Sequence, residues 1–209
     1  IAMAITLRKG QGISLHKDAG FDLSRLRVGL GWSIAAESGA DYDLDAVALL
    51  LNADGKVENL GQLDANRRPT LVGGDVVFYN SLTHPSGKVR LSGDNRTWSG
   101  VGDDEVIEVD LDTLPEKYQA IVFLVSIFKG KERQQSFANV QRATIRALDA
   151  QQREICRYEI GGNAQNAAHC SMVFAKVLRD GTGRWIFSAQ GDFWETDRFV
   201  DILKQYLPY

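Results

Sequence analysis

The chain is poor in cysteine, which limits how its fold can be held together. Only two of its 209 residues are cysteines, Cys156 and Cys170, so at most one disulfide can form. Small secreted domains that depend on disulfides usually carry several of them. The sequence therefore excludes a disulfide framework, and we expect both thiols to be reduced in a cytoplasmic protein.

Histidine is scarce as well, and the common catalytic motifs are missing. His16, His84 and His169 are the only histidines, and none lies in an H-E-x-x-H or a cysteine and histidine zinc spacing. The G-x-S-x-G elbow and the G-x-x-x-x-G-K-[ST] phosphate loop are both absent. A triad whose members are distant in the chain stays open, but the sequence favours a protein without catalytic activity.

Long apolar runs and an excess of positive charge are also missing. Every apolar run is far shorter than the roughly 20 residues of a membrane-spanning helix, and no signal peptide is recognisable. The formal net charge of -3 and an isoelectric point near 5.7 provide no basic field for nucleic acid. We therefore expect neither a transmembrane segment nor a nucleic-acid partner.

Acidic residues, by contrast, are concentrated in a glycine-rich segment, residues 93–105. Four acids and an asparagine stand there among three glycines: Asp94, Asn95, Asp103, Asp104 and Glu105. Carboxylates at this density repel one another, and Ca²⁺ removes that repulsion because it takes about six to eight oxygen ligands. The segment predicts a calcium site, and the plain alternative is an acidic loop that water solvates.

A second acidic cluster, Asp41, Asp43 and Asp45, comes just before the apolar run 46–51. The cluster is not an EF-hand, because the glycine and glutamate that such a loop needs at its sixth and twelfth positions are missing. The run is short and ends at a turn signal, which indicates a buried strand. Side chains alternate along a strand, so the three aspartates would share one face at its entry. Asn80, at the end of another β-type run, could add a neutral oxygen ligand.

Five strings, in this order and spacing, resemble the TerD family of tellurite-resistance and stress-response proteins. They are Asp43-Leu44-Asp45-Ala46, Val77-Phe78-Tyr79-Asn80, Gly93-Asp94-Asn95, Gly102-Asp103-Asp104-Glu105 and Gln135-Ser136-Phe137-Ala138-Asn139-Val140. The resemblance runs from about Ile5 to the C-terminus and is most specific between Leu44 and Leu148. It implies a β-sandwich that binds two calcium ions through aspartate-rich loops in a bacterial cytoplasmic protein.

Matching these motifs to the chain gives eight candidate calcium ligands. They are Asp43, Asp45, Asn80, Asp94, Asn95, Asp103, Asp104 and Glu105. The partners that the resemblance implies are other tellurite-resistance proteins, at the inner membrane surface. The chain departs from the family at Ser33, where an aspartate is usual, in an apparent insertion at residues 59–74, and at Lys129-Gly130-Lys131, where the family turn is more acidic.

Short apolar segments between turn signals predict an all-β fold, a two-sheet β-sandwich with a short C-terminal helix. The helix is expected from Thr196, with Thr196 or Asp197 as its N-cap. Residues 1–3 are expected to be a vector remnant and the start methionine, and residues 4–209 a single domain. The predicted strands span residues 5–7, 13–15, 26–32, 44–51, 76–79, 89–91, 106–111, 120–128, 140–148, 154–160, 171–178 and 185–188.

Taken together, the acidic clusters and the resemblance to the TerD family imply a calcium-binding, non-catalytic stress-response protein whose ordered loops recognise a partner and contribute to tellurite resistance. The leading alternative is an enzyme or binding protein in which Ca²⁺ or Mg²⁺ positions a phosphorylated or nucleotide ligand. In a third alternative, calcium only stabilises the fold.

Overall fold

A computed structural model gives the architecture, and it describes residues 5–7, 14–15, 20–33, 42–92 and 103–208. The fold is mostly β, and the predicted two-sheet sandwich with a short C-terminal helix is confirmed. The strands are β1 (Ile5–Leu7), β2 (Ser14–Leu15), β3 (Arg25–Ser33), β4 (Leu44–Leu51), β5 (Val76–Val77), β6 (Val89–Leu91), β7 (Glu105–Asp110), β8 (Ala120–Ile127), β9 (Arg142–Leu148), β10 (Glu154–Glu159), β11 (Ser171–Arg179) and β12 (Trp185–Trp194). Helix α1 is Phe199–Leu203, and short 3-10 turns span Phe137–Asn139, Ala164–Asn166 and Lys204–Tyr206.

The described strands form two sheets of six strands each. Sheet A has the order β1-β10-β9-β3-β7-β6, and sheet B has the order β2-β12-β11-β8-β4-β5. Strand β1 pairs with β10 in parallel, whereas the other pairs are antiparallel. Consecutive strands such as β6 and β7 or β11 and β12 stay in one sheet, and from β3 onward the chain crosses between the sheets at β3 to β4, β5 to β6, β7 to β8, β8 to β9 and β10 to β11.

Strand β8 lies at the centre of sheet B and is buried along its whole length, as its continuous apolar sequence predicts. Ile121, Phe123 and Val125 face sheet A in the main core, and Val122 and Leu124 face the opposite side. That opposite side is covered by α1, through Ile202, and by the segment that leads into β5. The molecule thus has a third, partial layer over sheet B.

The outer face of sheet A is charged. Arg146 on β9 pairs with Asp103 and Glu154, and Arg157 on β10 pairs with Glu154. Glu108 on β7 lies within ion-pair distance of arginines on the two neighbouring strands. The pair of Arg90 with Glu108 is well exposed and stabilises the fold by little, whereas Asp103 is nearly buried under Arg146.

Two elements differ from the sequence prediction by more than two residues at one end. The predicted strand 185–188 continues to Trp194, because Gly191 adopts φ +76° and a bulge lets β12 stay paired with β11 beyond it. The predicted N-cap is wrong: α1 begins at Phe199 after Arg198, which makes no side-chain capping bond. Thr196 instead closes the preceding turn, accepting from the Arg198 N–H at 3.1 Å.

Both cysteines are free, as expected, and the structure shows that both are buried. Burial, aided by the nearby Glu154 charge, raises the pKa of the Cys156 thiol to about 12, which leaves it protonated and unreactive at neutral pH. No helix among the described residues is long and apolar enough to span a membrane.

Candidate functional site

The two predicted acidic segments lead into strands β4 and β7. These strands belong to different sheets but meet at one end of the sandwich. Asp45 is the second residue of β4, and Glu105 is the first residue of β7. The Ala46 N–H donates to Glu105 Oε2 at 2.5 Å. The Glu105 carboxylate, only 6% exposed, therefore joins the two sheets beside Asp45.

The geometry of β4 explains why its Ala46 N–H needs this carboxylate. Leu50, four residues later on the same edge of β4, donates its N–H to the Asp75 carbonyl next to β5. Strand β5 pairs only with Ala48 and Leu49 and does not reach Ala46. A buried N–H without an acceptor is costly, and Glu105 supplies the acceptor that β5 does not.

Asp104 is tied to the same end through Trp32. Asp104 Oδ2 accepts from the Trp32 backbone N–H at 2.9 Å, and the Trp32 indole donates to the Tyr42 carbonyl at 3.2 Å. Tyr42 directly precedes Asp43, whose own carbonyl accepts from the Phe128 N–H at 2.7 Å. We call the group formed by Asp43, Asp45, Asp104 and Glu105 the acidic end.

Asn80, the neutral candidate, is exposed in the turn that follows β5. Burial and the charge of Asp45 together raise the pKa of the phenol of its neighbour, Tyr79. Tyr79 therefore lies within electrostatic reach of the acidic end. The Tyr79 ring also contacts the Phe128 ring, with 5.9 Å between centroids. The structure therefore links Tyr79, rather than Asn80 itself, to Asp45.

Asp103 takes a different direction from its two neighbours. Its carboxylate accepts two hydrogen bonds from Arg146, at 2.9 and 3.0 Å, on the outer face of sheet A. It lies over Gly29, where a Cβ would be 2.2 Å from Asp103 Cγ. Sequence reasoning missed Arg146. A glycine inside a strand often marks the close approach of another group, so Gly29 was the available signal.

The candidates Asp94 and Asn95 lie outside the described residues. Among the residues that the structure does describe, no group of three or more His, Cys, Asp or Glu side chains is arranged closely enough to hold a metal ion. The described candidates are oxygen donors, which is the donor set that Ca²⁺ prefers. The acidic end thus has the donor atoms of a calcium site, but its described residues are not gathered into a metal-holding group.

Sequence reasoning also missed a buried polar cluster around Asp75. Its Oδ1 accepts from the Tyr118 hydroxyl at 2.7 Å and lies 3.0 Å from His84 Nε2, and its Oδ2 accepts from the Asn59 N–H at 2.9 Å. Burial by itself raises the pKa of the Asp75 carboxyl, but the hydrogen bonds from His84, Tyr118 and Asn59 outweigh it and leave the pKa lowered. No local sequence pattern signals this cluster, because its members come from distant segments.

A series of hydrogen bonds joins Ser86 to His84 and His84 to Asp75. Serine, histidine and aspartate are the residue types of a catalytic triad. The backbone N–H groups of the Ser86 turn are already used, however. Ser86 N–H donates to His84 Nδ1, Gly87 N–H to the His84 carbonyl, and Lys88 N–H to Ser86 Oγ. No N–H in this turn is left to stabilise an oxyanion, so the series holds the turn in place.

With this geometry in hand, the chain can be compared with known proteins. The TerD domain model matches residues 3–206. The chain belongs to the TerD family. A tellurium resistance protein TerX from Serratia marcescens is 45% identical over 216 residues, covering 98% of this chain and all of the relative. A tellurium resistance protein TerD from the same organism is 38% identical, and general stress protein 16U from Bacillus subtilis is 35% identical, each covering 90% of both chains.

Solved structures agree with the TerD fold. A crystal structure of a homologue of telluride resistance protein TerD from Streptomyces coelicolor A3(2) superposes with a TM-score of 0.65 at 22% identity, over 85% of this chain and 94% of that chain. At this identity the likeness shows the fold alone. The resemblance of the sequence to the TerD family is confirmed, and the family is one of tellurium-resistance and stress-response proteins.

Proposed function

We propose that this TerD-family chain is a cytoplasmic, non-catalytic, calcium-binding protein of the bacterial stress response, acting in resistance to tellurite and related chemical stress. The observation that supports it is the acidic end, where the Glu105 carboxylate of β7 accepts from the Ala46 N–H of β4, next to Asp45, although 59 residues separate Glu105 from Ala46. Ca²⁺ accepts flexible, carboxylate-rich oxygen sites, whereas Mg²⁺ requires near-ideal octahedral geometry.

The acidic end supplies the ligands in this proposal, and it also limits where a partner would bind. Asp43, Asp45, Asp104 and Glu105 would hold calcium, with Asn80 adding a neutral oxygen and the segment 93–102 contributing Asp94 and Asn95. Neutralising these charges would let the connections at this end adopt one arrangement. That arrangement is the surface that we propose for partner recognition, with other tellurite-resistance proteins near the inner membrane as the expected partners.

Calorimetric titration of metal-stripped protein tests the metal assignment. We expect Ca²⁺ to bind more tightly than Mg²⁺, at a stoichiometry of up to two ions. Asp104→Asn should weaken calcium binding about tenfold or more, equivalent to about 1.4 kcal/mol, because it removes a charge from the acidic end while keeping an oxygen that can accept from the Trp32 N–H.

The adjacent residue provides a matched control. Asp103→Asn changes the same functional group, but its carboxylate is already neutralised by Arg146, so calcium affinity should change by only about twofold, less than 0.5 kcal/mol. Equal losses in both variants would contradict the assignment of the four-residue acidic end. Mg²⁺ binding as tight as Ca²⁺ binding would reject calcium as the preferred ion.

One observation favours the alternative function, a metal-bridged phosphorylated ligand. The loop after β8 carries Lys129, Lys131 and Arg133, all exposed, and it adjoins Asp43 through the Phe128 N–H. A phosphate could contact a bound cation and these basic side chains together. Adding ATP or inorganic phosphate to calcium-loaded protein distinguishes the two functions: the alternative expects saturable binding that requires calcium, and the main proposal expects none.

A further inference from the structure

The segment between β4 and β5 folds into a projecting hairpin, residues 60–72, which we call the arginine hairpin. Its two arms are joined by backbone hydrogen bonds from Leu71 N–H to the Leu60 carbonyl, from Gln62 N–H to the Val72 carbonyl and from Thr70 N–H to the Gln62 carbonyl, at 2.8 to 2.9 Å. The sequence marked this region only as an apparent insertion. Its hydrogen bonding shows that it is a regular element.

The tip of the arginine hairpin is fixed by Asp64. Its Oδ1 accepts from the N–H groups of Asn66 and Arg68, each at 2.8 Å, and its own N–H donates to the Arg68 carbonyl at 2.9 Å. Arg67 adopts φ +60°, a left-handed conformation that costs a residue with a side chain roughly 1 to 2 kcal/mol. The hydrogen bonds of Asp64 therefore hold the backbone of the tip in one arrangement, which fixes where its side chains begin.

The base of the hairpin is anchored in the fold. Leu60 and Leu71 pack against the apolar outer face of sheet B. Just below them, Asn59 and Asp75 exchange backbone and side-chain hydrogen bonds at 2.7 and 2.9 Å. Because Asp75 also belongs to the buried cluster with His84 and Tyr118, the hairpin cannot swing without disturbing buried hydrogen bonds.

The tip itself contributes almost nothing to the core. Residues 62–69 are all exposed, and Leu63 is 57% exposed, the largest value among the large apolar side chains that the structure describes. Arg67 and Arg68 form no ion pair within the described part of the chain. The tip thus displays one apolar side chain and two arginines, whose combined charge exceeds that of the single carboxylate at the tip, Asp64.

These features are those of a preorganised binding element. A binding segment that is already ordered loses less conformational entropy on association, and arginine is enriched among the residues that dominate interfaces. We propose that the arginine hairpin docks on the acidic surface of a protein partner, with Leu63 entering an apolar recess and Arg67 and Arg68 pairing with carboxylates around it. This docking surface is independent of calcium at the acidic end.

A protein surface fits the tip better than a membrane or a nucleic acid. Attraction to anionic lipid contributes only about 1 kcal/mol for each basic residue, and the insertion of one leucine adds little. The tip alone would therefore not hold a chain of net charge -3 on a bilayer. Nucleic-acid binding depends on many phosphate contacts, which two arginines do not provide. Bidentate pairing with carboxylates needs only the two guanidinium groups.

A random peptide library displayed on phage, panned against the full chain, tests the proposal. The selection is repeated with Arg67→Glu/Arg68→Glu and with the matched control Arg142→Glu, which reverses an exposed arginine on sheet A. We expect enriched peptides in which Asp or Glu flank an apolar residue. Binding of a synthesised, enriched peptide should weaken about tenfold or more with the double variant, fall with Leu63→Ser and remain unchanged with Arg142→Glu.

Several results would overturn the proposal. One is the absence of enrichment, and another is enrichment of peptides without acids or of peptides that bind the double variant equally well. Binding of wild-type protein to vesicles rich in anionic lipid, lost in the double variant, would assign the tip to a membrane instead. Circular dichroism and thermal melting of each variant show whether it is folded, and the exposed tip should tolerate all of these changes.

Discussion

Replacing Asp75 by alanine is expected to lower the free energy of unfolding by about 3 to 5 kcal/mol, as when one partner is removed from a buried charged network. The substitution deprives the Tyr118 hydroxyl, His84 Nε2 and the Asn59 N–H of their common acceptor. Tyr118 and His84 are 5% and 3% exposed, so water cannot easily replace the carboxylate. Urea unfolding followed by circular dichroism at neutral pH measures the loss.

A second aspartate in the same region provides the comparison. Asp64 also accepts two backbone N–H groups, but it is exposed at the tip of the arginine hairpin. Asp64→Ala should cost only about 1 kcal/mol, the usual loss for an exposed side chain that caps N–H groups. If Asp75→Ala cost no more than Asp64→Ala, the buried cluster would not be an important source of stability.

The same cluster predicts how stability depends on pH. Because the pKa of the Asp75 carboxyl is lower in the folded protein than in the unfolded chain, its ionised form favours folding. That contribution is complete above the ordinary aspartate pKa of about 4, and it is lost as the pH falls through the lowered value in the fold. The stability difference between wild type and Asp75→Ala should therefore shrink as the pH is lowered below about 4.

Calcium at about 100 times its dissociation constant is expected to stabilise the chain by about 2.7 kcal/mol for one site, if it binds the native state alone. For a domain of this size the melting temperature would rise by roughly 5 to 10 °C. Glu105→Gln should remove most of this rise. The amide oxygen can still accept from the Ala46 N–H, so the bridge between the sheets persists while the charge is lost.

Thermal melts of wild type and Glu105→Gln, each with calcium and with chelator, separate the two roles of this side chain. An equal calcium-induced rise in both proteins would show that the Glu105 charge does not contribute to metal binding. A lower melting temperature of Glu105→Gln already in chelator would show that the ionised carboxylate, and not only its hydrogen bond, joins the sheets.

Much of the fold was predictable because strands leave a strong pattern in sequence. Alternation in residues 106–111 matches β7, and the continuous apolar run 120–128 matches β8 to within one residue. The end of β12 was missed because its continuation depends on a bulge and on the positive φ of Gly191, which are set by pairing with β11. The helix start was missed because Thr196 forms a turn that imitates a cap.

The site was predictable as a composition but not as a geometry. The sequence grouped Asp103, Asp104 and Glu105 as equivalent ligands, whereas the structure directs Asp103 to Arg146 and Glu105 to Ala46. Asp103 and Asp104 precede β7, so the alternation of a strand does not set their directions; Arg146 sets the direction of Asp103, and the Trp32 N–H sets that of Asp104. Which acid faces which way depends on Gly29 and Arg146, and this requires the register of sheet A.

The short strands at one side of the sandwich have a consequence for how the protein behaves at high concentration. Strands β5 and β6, the last on that side, have two and three residues. The outer edge of β6 is already engaged, since His84 N–H donates to the Val89 carbonyl and Leu91 N–H to the Leu82 carbonyl. Long exposed edges template the pairing of one chain with another and lead to aggregation. On this side, the described part of the molecule offers no such template, so we expect the chain to resist edge-to-edge association there at high concentration.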